Sequence, residues 1–153
     1  MGKAERVEKN HMIALIKMRG RIYERNVKTE LSIDLSNLKN EIVSQAENAG
    51  WWRTLLAVAN AEMREAERLM KKTRSVRMDA IGDRLEGGGE RRSEDKIRRM
   101  VYADIIYNKS VKKYNQALES AEYIQQVVNS FSERGNMLIG LGADERKENI
   151  YAN

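Results

Sequence analysis

Residues 51–85 read WWRTLLAVANAEMREAERLMKKTRSVRMDAIGDRL. Within them Trp52, Leu55, Ala59, Met63, Ala66, Met70 and Thr73 recur at intervals of three or four residues. That interval returns each side chain to one side of a 3.6-residue helix, so the run predicts one long helix with an apolar stripe. At 1.5 Å per residue such a helix extends roughly 50 Å. A chain of 153 residues cannot enclose it, so the stripe calls for partner helices rather than a globular core.

A second long helix is written downstream. EGGGE (86–90) interrupts the first, and Ser93 stands where an N-cap is needed. Tyr107, Val111, Tyr114, Leu118, Ala121, Gln125 and Val128 then alternate in the manner of a and d positions, with Gln125 as a polar exception that can set register. Ile97, Val101, Ile105, Ile124 and Phe131 widen this stripe beyond what one neighbour covers. Gly135 is the expected stop. Upstream, residues 3–29 read as a helix weakened at Gly20. Residues 27–34 read as an extended connection, and Asp34 as the N-cap of a short helix ending at Gly50. After Gly135 the chain reads as a short apolar patch, a last helical turn and a frayed tail. The expected fold is all-α: a long helical hairpin (about 51–85 and 93–134) with shorter N-terminal helices. Two broad apolar stripes exceed what one copy buries, which predicts a helical homo-oligomer.

Composition supports helices and excludes several function classes. Proline is absent, and the dominant residues are strong helix formers. With no cysteine there is no disulfide framework, thiolate metal site or cysteine nucleophile. His11 is the single histidine, too few for a multi-histidine metal site and remote from any nucleophile motif. The acidic residues show no paired-acid or metal-ligand spacing. The expectation is therefore a protein that is not an enzyme, with no catalytic residue, metal or cofactor. No apolar run approaches the roughly 20 residues of a membrane span, and MGKAER lacks the Ser or Thr of a myristoylation signal. A cytoplasmic protein without a membrane partner is expected. The net charge of +5 makes an acidic partner plausible.

IGDRLEGGGERR (81–92) is the one glycine-rich loop. A phosphate-cradling loop needs a preceding strand and Gly-Lys-Ser/Thr at fixed spacing; here a helix precedes it and the lysine is missing. It reads as a connector between antiparallel helices. The cations around it are the candidate site: Arg68, Lys71, Lys72, Arg74, Arg77 and Arg84 on the first helix, and Arg91 and Arg92 at the start of the return. Lys71, Arg74 and Arg77, three apart, fall roughly on one face. A hairpin would gather these cations at one end, where a phosphate backbone is a fitting partner. Asp79, Asp83, Glu86 and Glu90 lie among them, so a merely solvated charged hairpin is the equal alternative. Trp51 and Trp52 have the chemistry to stack bases, although a tryptophan on a helical stripe more often belongs to a core.

Several spaced residues resemble those of the bacteriophage recombination mediator family typified by UvsY: SID (32–34), Trp52, EM (62–63), Glu67, VRMD (76–79), AD (103–104) and SERG (132–135). The likeness covers roughly residues 31–146, with only the glycine loop differing in length. It implies a mediator-like helical domain over 31–146, preceded by an N-terminal helical extension (1–30) and followed by a flexible tail (147–153). It further implies ring-like homo-oligomers that bind single-stranded DNA. Such rings load a RecA-like recombinase onto DNA covered by single-stranded-DNA-binding protein, without catalysis, in the cytoplasm of an infected bacterial host. The family's basic Lys-x-Arg segment maps onto Ser75 and Arg77, so Lys72 and Arg74 would supply the charge missing at Ser75. The competing expectation is a helical scaffold or coiled-coil adaptor that binds no DNA.

Overall fold

The computed structural model describes residues 13–18 and 21–151. In chain order it contains β1 (Ile13–Met18), β2 (Arg21–Asn26), α1 (Val27–Leu31), a 3-10 turn (Leu35–Asn37), α2 (Leu38–Gly87), α3 (Glu94–Tyr102) and α4 (Ile105–Tyr151). The helical hairpin is present, and short helical elements precede it. The chain divides into two compact units, residues 1–54 with 125–153, and residues 55–124.

In the first unit, the helix expected over 3–29 is replaced by an antiparallel β-hairpin; residues 3–12 and 19–20 of that expectation lie outside the described residues. Ile13 pairs with Asn26 and Met18 with Arg21. Ile13, Ile16, Ile22 and Tyr23 are residues that favour strands, and the same apolar cluster satisfies a helical period only over a short window. Tyr23 and Arg25, on one side of β2, both reach Trp51: the Tyr23 ring meets it edge-on at 5.9 Å, and the Arg25 guanidinium lies 4.3 Å above it. Asn26 caps α1 by accepting from the Thr29 amide, and Asp34 caps the 3-10 turn by accepting from Ser36. The latter is the cap that the sequence indicates.

Trp52 and Phe131, both fully buried, stack at 6.3 Å in this unit's core, joined by Leu138, Ala49 and Val27. The Trp52 indole donates to Glu30 Oε2 at 2.9 Å, which satisfies its one polar atom. A polar bolt stands beside the core. Arg134, 4% exposed, donates to Gln45 Oε1 at 2.7 Å, to the Ser32 carbonyl at 3.0 Å and to Glu41. Gln45 in turn donates to the Phe131 carbonyl. One guanidinium thus ties the α1 exit, α2 and α4 together.

Neither Gly50 nor Gly135 ends a helix: α2 runs through the first and α4 through the second, as far as Tyr151. A mid-helix glycine costs only about 1 kcal/mol against alanine, which the burial of Trp52, Phe131 and Leu138 on either side outweighs. At Gly135 the absent Cβ has a use, since one placed there would come within 3.1 Å of Gln45 Nε2.

The second unit holds residues 55–87 of α2, all of α3 and residues 105–124 of α4. Its core is Ile81, Leu85, Ile97, Val101 and Tyr107, with Met70, Met78, Met100 and Val111 against it. Where α2 and α4 carry Met63, Ala66, Tyr114 and Leu118, these stripe residues are only half-buried. Gln125, the polar position of the stripe, already belongs to the first unit, where it is exposed and donates to Asn129. The glycine loop is a defined helix cap. Gly89 has φ +76°, its amide donates to the Glu86 carbonyl at 2.9 Å, and the Glu90 amide donates to the Leu85 carbonyl at 2.9 Å. These are the two bonds of a Schellman motif, which needs a left-handed residue at the Gly89 position.

The return arm, expected as one helix over 93–134, breaks at Ala103–Asp104. The Asp104 amide donates back to the Val101 carbonyl, and its own Oδ1 then accepts from the Tyr107 amide at 2.9 Å. Asp104 therefore starts α4 as its N-cap. The break places Ile105, counted in the widened stripe, 83% exposed.

Candidate nucleic-acid interface

All eight cations singled out from sequence fall within residues 55–124. Six lie on α2, with Arg91 and Arg92 in the connection to α3. They do not form one face. Arg68 and Arg77 are nine residues apart, about 180° of helical rotation, so they stand on opposite sides of α2.

Their electrostatic states differ. Arg68 donates to both Glu65 oxygens at 2.7 and 2.8 Å. This hydrogen bonding holds the Glu65 carboxyl below its ordinary pKa and Arg68 above its own. Lys71 lies 2.6 Å from Glu67, whose hydrogen bond raises the lysine pKa. Both pairs are exposed, and exposed pairs contribute little to stability; their effect is to neutralise charge locally. Arg92 reaches Glu86 at 3.5 Å, packs alongside Gly82 and lines a groove of about 390 Å³ with Met78, Asp79, Glu94 and Ile97. Lys72, Arg84 and Arg91 are exposed and form no ion pair among the described residues.

Arg77 faces inward. Its Nε and Nη2 both donate to Asp104 Oδ2, at 3.0 and 2.6 Å. The Arg77 hydrogen bonds, followed by that from the Tyr107 amide, hold the Asp104 carboxyl below its usual range. One carboxylate thus receives α2's arginine and caps α4, fixing the α3–α4 corner against α2. Arg74, one helical turn earlier, sits half-buried with its guanidinium carbon 5.9 Å from the centre of the Tyr102 ring. Lys71, Arg74 and Arg77, expected roughly on one face, differ in what engages them: Lys71 is exposed beside Glu67, Arg74 lies over Tyr102, and Arg77 is held by Asp104.

The tryptophans serve the first unit's interior. Trp52 is core, and Trp51 is covered by Tyr23 and Arg25. Tyr102 and Asp104 are the side chains that sequence reasoning missed. A signal for Asp104 was available, since an aspartate directly before an apolar run is an N-cap pattern. Residues that carried the family resemblance meet in pairs: Arg77 of VRMD with Asp104 of AD, and Ser32 of SID with Arg134 of SERG. Among the described residues no group of three His, Asp or Glu side chains is placed to hold a metal ion, and no helix is long and apolar enough to cross a membrane.

The chain matches no protein-family model and no curated protein. Among solved structures it is similar to the crystal structure of the bacteriophage T4 recombination mediator protein UvsY. The TM-score is 0.66 at 16% identity, over 80% of this chain and 92% of that one. The likeness shows a shared fold.

Proposed function

We propose that this protein is a non-enzymatic recombination mediator. It binds single-stranded DNA as a homo-oligomer and loads a RecA-like recombinase onto strands covered by single-stranded-DNA-binding protein, in the cytoplasm of a phage-infected bacterium. The observation that carries this reading is the fold likeness to the T4 mediator across most of both chains. Two features of the 55–124 unit support it. Lys72, Arg84 and Arg91 are cations without acidic partners among the described residues, and Arg74 is held by an aromatic ring rather than a carboxylate. The half-buried stripe of Met63, Ala66, Tyr114 and Leu118 leaves apolar surface that a second copy would cover.

Four modest cations per copy give weak binding alone. Repetition around an oligomer raises it through effective concentration. Loading then follows from linked binding equilibria, since a mediator that prefers the strand in a recombinase-competent form shifts the population toward it without hydrolysis.

The ion pairs of Arg68, Lys71, Arg77 and Arg92 favour a second reading, a helical scaffold whose charges only solvate it. A loading assay separates the two. On a strand pre-covered with single-stranded-DNA-binding protein, the mediator shortens the lag before recombinase filaments grow. A lag unchanged at every protein concentration leaves the scaffold reading.

A further inference from the structure

A phosphate backbone explains cations but not an exposed aromatic ring held in place among them. In the 55–124 unit Tyr107 is buried and Tyr114 half-buried, whereas Tyr102 is 53% exposed. Its surroundings are rigid. Val101 before it is 1% exposed, in the core, and the Tyr102 carbonyl itself accepts from Asn108 Nδ2 at 3.0 Å. The Arg77–Asp104 pair fixes the corner immediately after it. The Tyr107 ring backs it at 6.0 Å, tilted by 60°. Above it stands the Arg74 guanidinium at 5.9 Å, the outer limit of a cation–π contact. The residue is therefore about half exposed, and the arginine sits at the edge of contact with its ring.

We propose that Tyr102 is a stacking platform for a base of the bound single strand, with the base entering between the Tyr102 ring and the Arg74 guanidinium. This rests on the single-strand-binding reading and deepens it. A base needs about 3.4 Å on each side, hence roughly 7 Å between ring and guanidinium, about 1 Å more than the present gap. Rotation of the long arginine side chain supplies that. Bases stack on aromatic rings and on arginine planes alike, and every base has a π-face, so the site accepts any sequence. The ring is fixed in advance by the corner, so little ordering entropy is lost when the base arrives. Single strands are selected over duplex because only an unpaired base can enter.

The test is a four-way comparison with the full chain. Wild type and Tyr102→Ala are each titrated with a labelled oligo-dT and with an abasic oligomer of equal length and charge. Stacking predicts that Tyr102→Ala weakens oligo-dT binding by about 5- to 150-fold, leaves abasic binding unchanged, and keeps the same salt dependence. Tyr102→Phe, which keeps the ring, retains oligo-dT affinity, and the unchanged abasic binding of Tyr102→Ala excludes a folding defect in that variant. Equal losses on both strands, or no loss on either, overturn the stacking role while wild-type DNA binding stands. Wild type that binds neither strand removes the single-strand reading and the platform with it. If Tyr102→Ala changes native mass and DNA affinity simply follows, the corner, with exposed Ile105 and Ile106, is a protein contact and the proposal fails.

Discussion

Replacing Arg134 with methionine tests whether one buried guanidinium holds the first unit together. The change keeps most of the apolar stem and so leaves little cavity. What it removes is polar: the donors to Gln45 Oε1, to the Ser32 carbonyl and to Glu41. Breaking a buried ion pair from one side costs about 3–5 kcal/mol, because the partner charge stays behind unpaired. The Glu41 side chain keeps 20% exposure and can turn toward water, which places the expectation at the lower end, about 3 kcal/mol. For a chain of this length that corresponds to a fall in Tm of about 6–12 °C. Thermal and urea unfolding followed by circular dichroism, at one fixed protein concentration, measure it. In a double-mutant cycle, Arg134→Met with Glu41→Gln should cost less than the sum of the two changes, by about 1–3 kcal/mol. A loss below about 1 kcal/mol, or strict additivity, would refute the bolt.

Three further outcomes follow from the second unit. Gly89→Ala should destabilise by about 1–2 kcal/mol, since alanine resists the left-handed backbone there; Gly87→Ala, in helical backbone with open space around it, should be neutral or stabilising in the same urea titration. Asp104 has a depressed pKa in the folded state, so its contribution is complete above the unfolded carboxylate value, about 3.9, and is lost as pH falls through the folded value. Urea midpoints measured from pH 6 to pH 2 should fall more steeply for wild type than for Asp104→Asn. Lys72→Ala and Arg84→Ala should each reduce the salt slope of single-strand binding by about 0.7, while Arg68→Ala, already neutralised by Glu65, should change it little.

The hairpin was legible in the sequence because Trp52, Leu55 and Ala59 on one arm and Tyr107, Ala121 and Val128 on the other keep helical spacing and are buried. Helix ends were less legible. Gly50 and Gly135 carry the local signature of a stop, yet tertiary packing carries α2 and α4 through them. Gly89 has the same signature and does end its helix, because the chain must reverse there. The break at Asp104 carried an N-cap signal, which the apolar residues on both sides, keeping a helical phase, outweighed. The β-hairpin was hidden because a short apolar run fits both periods, and the pairing that decides between them is not local. At the candidate site the identities of the cations were readable, and the Arg68–Glu65 and Lys71–Glu67 pairs follow from spacing alone. Arg77 with Asp104, 27 residues apart, and Arg74 with Tyr102 required the fold.

The most direct measurement of the central claim is the affinity for an unstructured oligo-dT at increasing salt, with native mass recorded on the same samples. With Lys72, Arg74, Arg84 and Arg91 each meeting one phosphate, the log–log slope should be about −2.8 for each engaged copy, and the mass should be that of a multimer. No binding at low salt, or binding that does not respond to salt, would contradict the account.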